Sequence, residues 1–230
     1  MSKRPGGELA TRPLHFIWIA DCSGSMSGEK IRTLNFAIQE AIPHMRTVAD
    51  ENPYSQVLVR AIKFSNGAQW HIANPTPVAD FQWPDLKADG LTDMGKALMM
   101  VAEQLKTAAM PERGLPPVLA LISDGQPTDD FHAGLDALME LPWGKKAVRV
   151  AIAIGEDADH DVLQQFIGHP EIKPLHAHNP DQLVRYIKFV STTVLQAASA
   201  PGSQEQATAG HVLIPTAQFE DEPSSAGDVW

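Results

Sequence analysis

The chain runs Leu14-His15-Phe16-Ile17-Trp18-Ile19-Ala20 and then, without a break, Asp21-Cys22-Ser23-Gly24-Ser25-Met26. The first seven residues are apolar on both faces of an extended chain, the pattern of an inner strand covered by helices on two sides. One carboxylate and two hydroxyls follow as soon as the apolar run stops. They therefore leave the carboxyl end of that strand. Residues 56–64, 117–123 and 147–154 form three further runs rich in Val, Ile and Leu, and the second of these feeds directly into Ser123-Asp124-Gly125-Gln126-Pro127-Thr128-Asp129.

Between the runs lie helical patterns. From Glu29 the residues Ile31, Leu34, Ile38, Ile42, Met45 and Val48 recur every three or four positions and give one buried stripe, with a kink or early stop expected at Pro43. A second helix is expected over 93–108, with Met94, Ala97, Leu98, Val101, Ala102 and Leu105 inward. Others are expected over 131–141, 158–167 and 180–196. Alternating strands and helices favour a parallel, doubly wound sheet, because parallel neighbours need a crossover that holds a helix. One pair departs from this rule. Ser65-Asn66-Gly67 reads as a hairpin turn, so 68–73 is expected to return as a short antiparallel edge strand. There is no internal repeat.

Composition narrows the function. The 230 residues are 43% apolar, enough for one sizeable core, and the formal net charge of -10 opposes sequence-independent nucleic-acid binding, which needs clustered Lys and Arg. No apolar run spans a bilayer. A single cysteine suits a reducing compartment, and residues 1–12 lack a secretory apolar stretch, so the expected location is the cytoplasm. The organisation read from the chain is a flexible start over 1–12, one domain over 13–197 and an acidic, disordered tail over 198–230. That tail is rich in Ala, Ser, Gln, Gly and Pro, with five acidic residues and no Lys or Arg.

In open α/β sheets ligands collect beyond the carboxyl ends of the strands, so the loops at Asp21 and Asp124 are expected on one edge. A third polar loop, Gly90-Leu91-Thr92-Asp93, opens a helix. Asp21, Ser23, Ser25, Thr92 and Asp124 together supply two carboxylates and three hydroxyls. Such a set suits a hard, oxygen-seeking cation: Mg²⁺ first, with Mn²⁺ or Ca²⁺ as alternatives. Gly24 and Gly125 suit tight turns close to a ligand.

Asp-x-Ser-x-Ser, a later Thr and a still later Asp resemble the metal-ion-dependent adhesion site of von Willebrand factor A domains. The resemblance implies a six-stranded α/β fold. It also implies that Ser23 and Ser25 ligate directly, that Thr92 ligates directly or through water, and that Asp21 and Asp124 hold waters. Neutral ligands leave most of the metal's charge uncancelled, so an Asp or Glu from another protein can complete the coordination. Within that superfamily, residues 21–29, 121–129, Pro142-Trp143-Gly144 and 187–191 resemble the bacterial tellurium-resistance (TerY-like) group, over about 13–198. This closer likeness implies partnership with a PP2C-type phosphatase and a Ser/Thr kinase in stress or defence signalling. The implied module is an adaptor and not an enzyme; the competing class is a metal-dependent phosphoester hydrolase using the same loops.

Other features read more plainly. Gly90-Leu91-Thr92-Asp93-Met94-Gly95-Lys96-Ala97 nearly spells a nucleotide phosphate loop, but Ala97 replaces the required hydroxyl and no strand precedes it. A dehalogenase-type phosphatase needs a carboxylate where Ser23 stands, and a serine hydrolase needs a glycine before its nucleophile. His176 and His178, with His169 nearby, raise zinc, yet no cysteine or ordered spacing accompanies them. Alternation turns Cys22 toward the core. Trp83, in the loop leading to Thr92, is a candidate contact surface, Trp70 and Trp143 are packing residues, and Asp129-Asp130 are expected at a helix start. In the tail, Val212, Leu213 and Ile214 form a candidate docking segment, and Thr216 is a candidate kinase target.

Overall fold

In the computed structural model, which describes residues 11–106, 110, 114–124 and 126–200, the decisive first run forms β1 (Arg12–Asp21). It pairs in parallel with β2 (Ser55–Ser65) on one side and β4 (Val118–Ser123) on the other. β3 (Gly67–Pro77) returns antiparallel beside β2, while β5 (Val148–Ile154) and β6 (Leu175–Ala177) extend the sheet beyond β4 in parallel. The order is β3-β2-β1-β4-β5-β6. From β1 the chain first builds outward to β2 and β3, and then crosses back to β4 on the opposite flank. The strand order therefore reverses between β1 and β4, which opens a crevice at their carboxyl ends.

Alternation along β1 divides the core into two layers. Phe16 and Trp18 face α1 (Glu29–Glu51) and α6 (Pro180–Phe189), where Leu34, Ile38, Met45, Leu183 and Ile187 are buried. Ile17 and Ile19 face α2 (Met94–Gln104), α3 (Phe131–Glu140) and α5 (His160–Ile167), with Leu98, Val101, Phe131 and Phe166. A short α4 (Pro142–Lys146) follows α3. No helix among the described residues is long and apolar enough to cross a membrane.

Several elements differ from the sequence expectation. α1 runs through Pro43 without stopping. The proline is exposed, so the carbonyl it leaves unpaired can turn to water, while Ala41, Ile42, Met45 and Val48 keep the opposite face buried. The hairpin is tighter and longer than expected. Ser65 pairs with Gly67, whose φ of 91° suits glycine at the turn, and the strand continues to Pro77 with register shifts around Ala61. α2 ends at Gln104, where the Leu105 N–H turns back to Val101 and Ala102, short of the expected 108; residues 107–109 lie outside the described set.

At the other end of the chain, α6 passes into a π turn, Val190–Val194, and then into α7 (Leu195–Ser199). Ala198 is fully buried and Asn52 Nδ2 donates to the Ser199 carbonyl at 2.7 Å. The folded unit thus includes Ser199, two residues past the expected boundary.

Candidate metal site

Register places the two key loops side by side: Ala20 pairs with Ile122, so Asp21 and Ser123 emerge together. Asp21 is completely buried. Its Oδ1 accepts the Ser23 N–H at 2.7 Å and its Oδ2 accepts the Ser123 hydroxyl at 2.5 Å, which fixes the turn that presents Ser23. Burial pushes the Asp21 carboxyl up to about 6 against the pull of these hydrogen bonds, and the neighbouring Asp124 adds to the rise.

Ser25 Oγ donates to Asp124 Oδ1 at 2.7 Å and lies 2.9 Å from Ser23 Oγ. Ser25 has one hydroxyl proton and gives it to Asp124, so Ser23 is the donor in the serine pair. The result is a directed chain, Ser23 to Ser25 to Asp124. Ser25 is exposed, whereas Ser23 and Asp124 are each 2% exposed. The chain thus reaches from the floor of the crevice to its mouth. The remaining oxygen, Asp124 Oδ2, takes the Lys30 ammonium at 2.6 Å.

The Thr92 loop is fastened to the first loop through its backbone: Gly24 N–H donates to the Gly90 carbonyl at 2.9 Å and Asp89 N–H to the Cys22 carbonyl at 2.8 Å. Gly90 has φ 82°, and a β-carbon there would lie 2.5 Å from the Asn66 amide. That amide accepts the Leu91 N–H at 3.0 Å. Thr92 itself is buried, and Thr128 clamps it from the Asp124 side. The Thr128 hydroxyl accepts the Thr92 N–H at 3.0 Å, and its own N–H donates to the Thr92 carbonyl at 2.9 Å. Asp93 receives the Gly67 N–H at 2.7 Å and the Lys96 ammonium at 2.5 Å, and the lysine holds its carboxyl below the usual range.

The structure brings Asp21, Ser23, Ser25 and Asp124 together, and backbone ties hold the Thr92 loop against theirs. Sequence reasoning missed Ser123, Thr128 and Lys30. Each stands inside or just beyond a motif already singled out, but nothing in a linear motif reveals which oxygen it meets. Asp129 is reassigned. It accepts the Gly95 and Lys96 N–H groups, each at 2.8 Å, and so caps α2; Asp130 caps α3.

The donor set is oxygen alone, two carboxylates with hydroxyls, which fits a hard divalent cation and not a thiophilic one. Among the described residues no cluster of three or more His, Cys, Asp or Glu side chains is arranged to hold a metal, which goes against the zinc reading. The His176 and His178 rings lie tilted against each other with centroids 3.8 Å apart, His160 meets His176 edge-on at 4.4 Å, and His176 Nε2 bonds the Gly155 carbonyl. His169 takes the Glu171 N–H instead. Residues 81–93 form no strand, and Lys96 is tied to Asp93, so the near-phosphate loop has neither its platform nor its free lysine. Cys22 is buried as expected. Trp83 is not a contact surface: it is 5% exposed and its indole N–H donates to Asn35 at 3.0 Å. Gly125, Val212, Leu213, Ile214 and Thr216 lie outside the described residues.

The fold is similar to several solved structures. The ArnB paralog VWA2 from Sulfolobus acidocaldarius matches with TM-score 0.57 and 20% identity over 78% of this chain and 45% of that one. Proximal thread matrix protein 1 from the mussel byssus, solved with a zinc-occupied MIDAS motif, matches with TM-score 0.59 and 17% identity over 80% and 48%. The pilus adhesin SpaC from Lactobacillus rhamnosus GG matches with TM-score 0.62 and 15% identity over 82% and 31%. The chain thus spans less than half the length of each of these proteins. No curated protein matches it. The family model for the von Willebrand factor type A domain matches residues 17–192, and the chain belongs to that family.

Proposed function

We propose that this chain is a metal-dependent interaction module. Ser23 and Ser25 ligate Mg²⁺ directly, Thr92 is a switchable ligand, and Asp21 and Asp124 hold metal-bound waters. Domains of this family commonly act through a divalent metal in this way. The observation that carries the reading is the directed chain from Ser23 through exposed Ser25 to buried Asp124. A hydroxyl that gives its proton to a carboxylate keeps lone pairs for a cation, and its polarised oxygen becomes a better ligand. The bound ion would supply a concentrated positive charge facing solvent, suited to an Asp or Glu of a protein partner.

Asp21 and Asp124 each have both oxygens engaged by hydrogen-bond donors, which favours a binding role over a general base for phosphoester hydrolysis. The likeness of residues 21–29 and 121–129 to the TerY-like group favours, as partners, a PP2C-type phosphatase and a Ser/Thr kinase in the bacterial cytoplasm. In this reading the acidic tail docks through Val212, Leu213 and Ile214 and is phosphorylated at Thr216. The test is calorimetric titration with MgCl₂ and MnCl₂. Asp21→Ala and Ser23→Ala are expected to lose binding while remaining folded, since both stand at the carboxyl end of β1 and the two apolar layers of the core pack on the strand below them. Unaltered affinity in both variants refutes the ligand assignment. Copurification with and without chelator tests the partner, and a complex indifferent to chelator refutes the mechanism.

A further inference from the structure

Lys30, on the first turn of α1, places its ammonium on a carboxylate whose side chain is fully buried, while 19% of its own side chain remains exposed. The same nitrogen lies against the β5–α5 turn. A β-carbon built on Gly155 would be 3.3 Å from Lys30 Nζ, so the glycine leaves room for the lysine head. Asp124 and Asp21 bring two carboxylates together at the carboxyl ends of β1 and β4, and among the described residues that donate to them, Ser23, Ser123, Ser25 and Lys30, the lysine is the one that carries positive charge.

We propose that Lys30 is a built-in counter-ion that stabilises the metal-free site and competes with the divalent cation for Asp124. The inference rests on the metal-binding reading above and adds what sets the affinity. Two cations drawn to one carboxylate repel each other across a few ångströms of partly buried protein. Metal entry must therefore push the ammonium toward solvent, along the exposed side of its flexible stem, or accept it as a neighbour. Either course weakens metal binding relative to the same site with a neutral residue at position 30. A lysine that merely oriented Asp124 would have the opposite effect, because its loss would disorder the carboxylate.

The experiment compares wild type with Lys30→Met, which keeps an apolar stem, Lys30→Gln and Lys30→Arg, all in the full chain. Mg²⁺ and Mn²⁺ affinities are read by calorimetry, and melting is followed in EDTA and in saturating MgCl₂. The neutral variants are expected to bind the metal about tenfold more tightly, a small part of the unscreened repulsion. They are also expected to melt lower in EDTA and to gain more from Mg²⁺ than wild type, whereas Lys30→Arg stays near wild type. If Lys30→Met is unfolded in EDTA, the Lys30→Gln affinity carries the comparison. Equal or weaker binding by the neutral variants, with wild type binding normally, overturns the counter-ion role alone. Absence of binding in every variant overturns the metal reading and this inference together.

Discussion

Replacing Gly134 with Ala tests the contact that holds α2, and with it Thr92, against the rest of the site. The two helices meet through glycines. A β-carbon at Gly134 would lie 2.3 Å from the Gly95 carbonyl oxygen and 2.9 Å from the Gly95 Cα, whereas ordinary contact begins near 3.4 Å. A methyl there needs about 1 Å of retreat, and the opposing atoms are backbone, which cannot swing aside. Retreat also loads the Asp129 cap on Gly95 and Lys96 and the Thr128 clamp on Thr92. Against rigid backbone the upper part of the overpacking range applies, about 2–3 kcal/mol, and better helix propensity returns at most about 1 kcal/mol, leaving a net loss of about 1–2 kcal/mol. Urea unfolding at constant slope measures it as a lower midpoint, by about 0.5–1 M for a slope of about 2 kcal/mol/M. A Gly134→Ala protein as stable as wild type would refute the claim that the glycines set this packing.

Two further outcomes follow from other buried groups. His15, within β1, has its pKa lowered from 6.5 by burial and secondarily by Arg60, so the fold holds the neutral ring. The unfolded chain then binds more protons below about pH 6.5, and wild type loses stability on acidification from pH 7.5 to 5. His15→Gln lacks that contribution, so melting temperatures at the two ends of this range are expected to draw together; parallel profiles would show that the ring stays solvated. Cys22 is 2% exposed and its thiol is pushed up to about 12, first by burial and then by the Asp21 charge. A thiol reagent at pH 8 is expected to label it only after unfolding, and rapid labelling of folded protein would contradict the burial.

Much of this site was legible because its residues follow strands whose apolar runs are unmistakable. Asp21 and Asp124 could be placed on one edge without knowing any side-chain contact, since parallel strands end together. What remained hidden depends on contacts between distant segments. Pro43 reads as a kink or a stop, yet α1 continues past it, with Ala41, Ile42 and Met45 buried on its inner face. Asp129 reads as the start of its own helix, yet it caps α2. Trp83 reads as a contact surface because its loop leads to Thr92, but Asn35 on α1 draws it inward. β6 has three residues, too few to show a period, and the pairing of Lys30 with Asp124 crosses 94 residues of chain.

The reversal of strand order at β1 also bears on when the site comes into existence. Asp21 and the Ser123 that steadies it are 102 residues apart, and Ser25 and Asp124 are 99 apart. Contacts of such high sequence separation form late, after the entropy of closing a long loop has been overcome. No local fragment can rehearse this geometry, so a cation or partner cannot select a half-folded chain. During synthesis the ribosome has already released β1, β2, β3 and α2 before the sequence that completes the crevice emerges. The proposed binding site is completed in one step, when β4 docks beside β1 and carries Asp124 to Ser25.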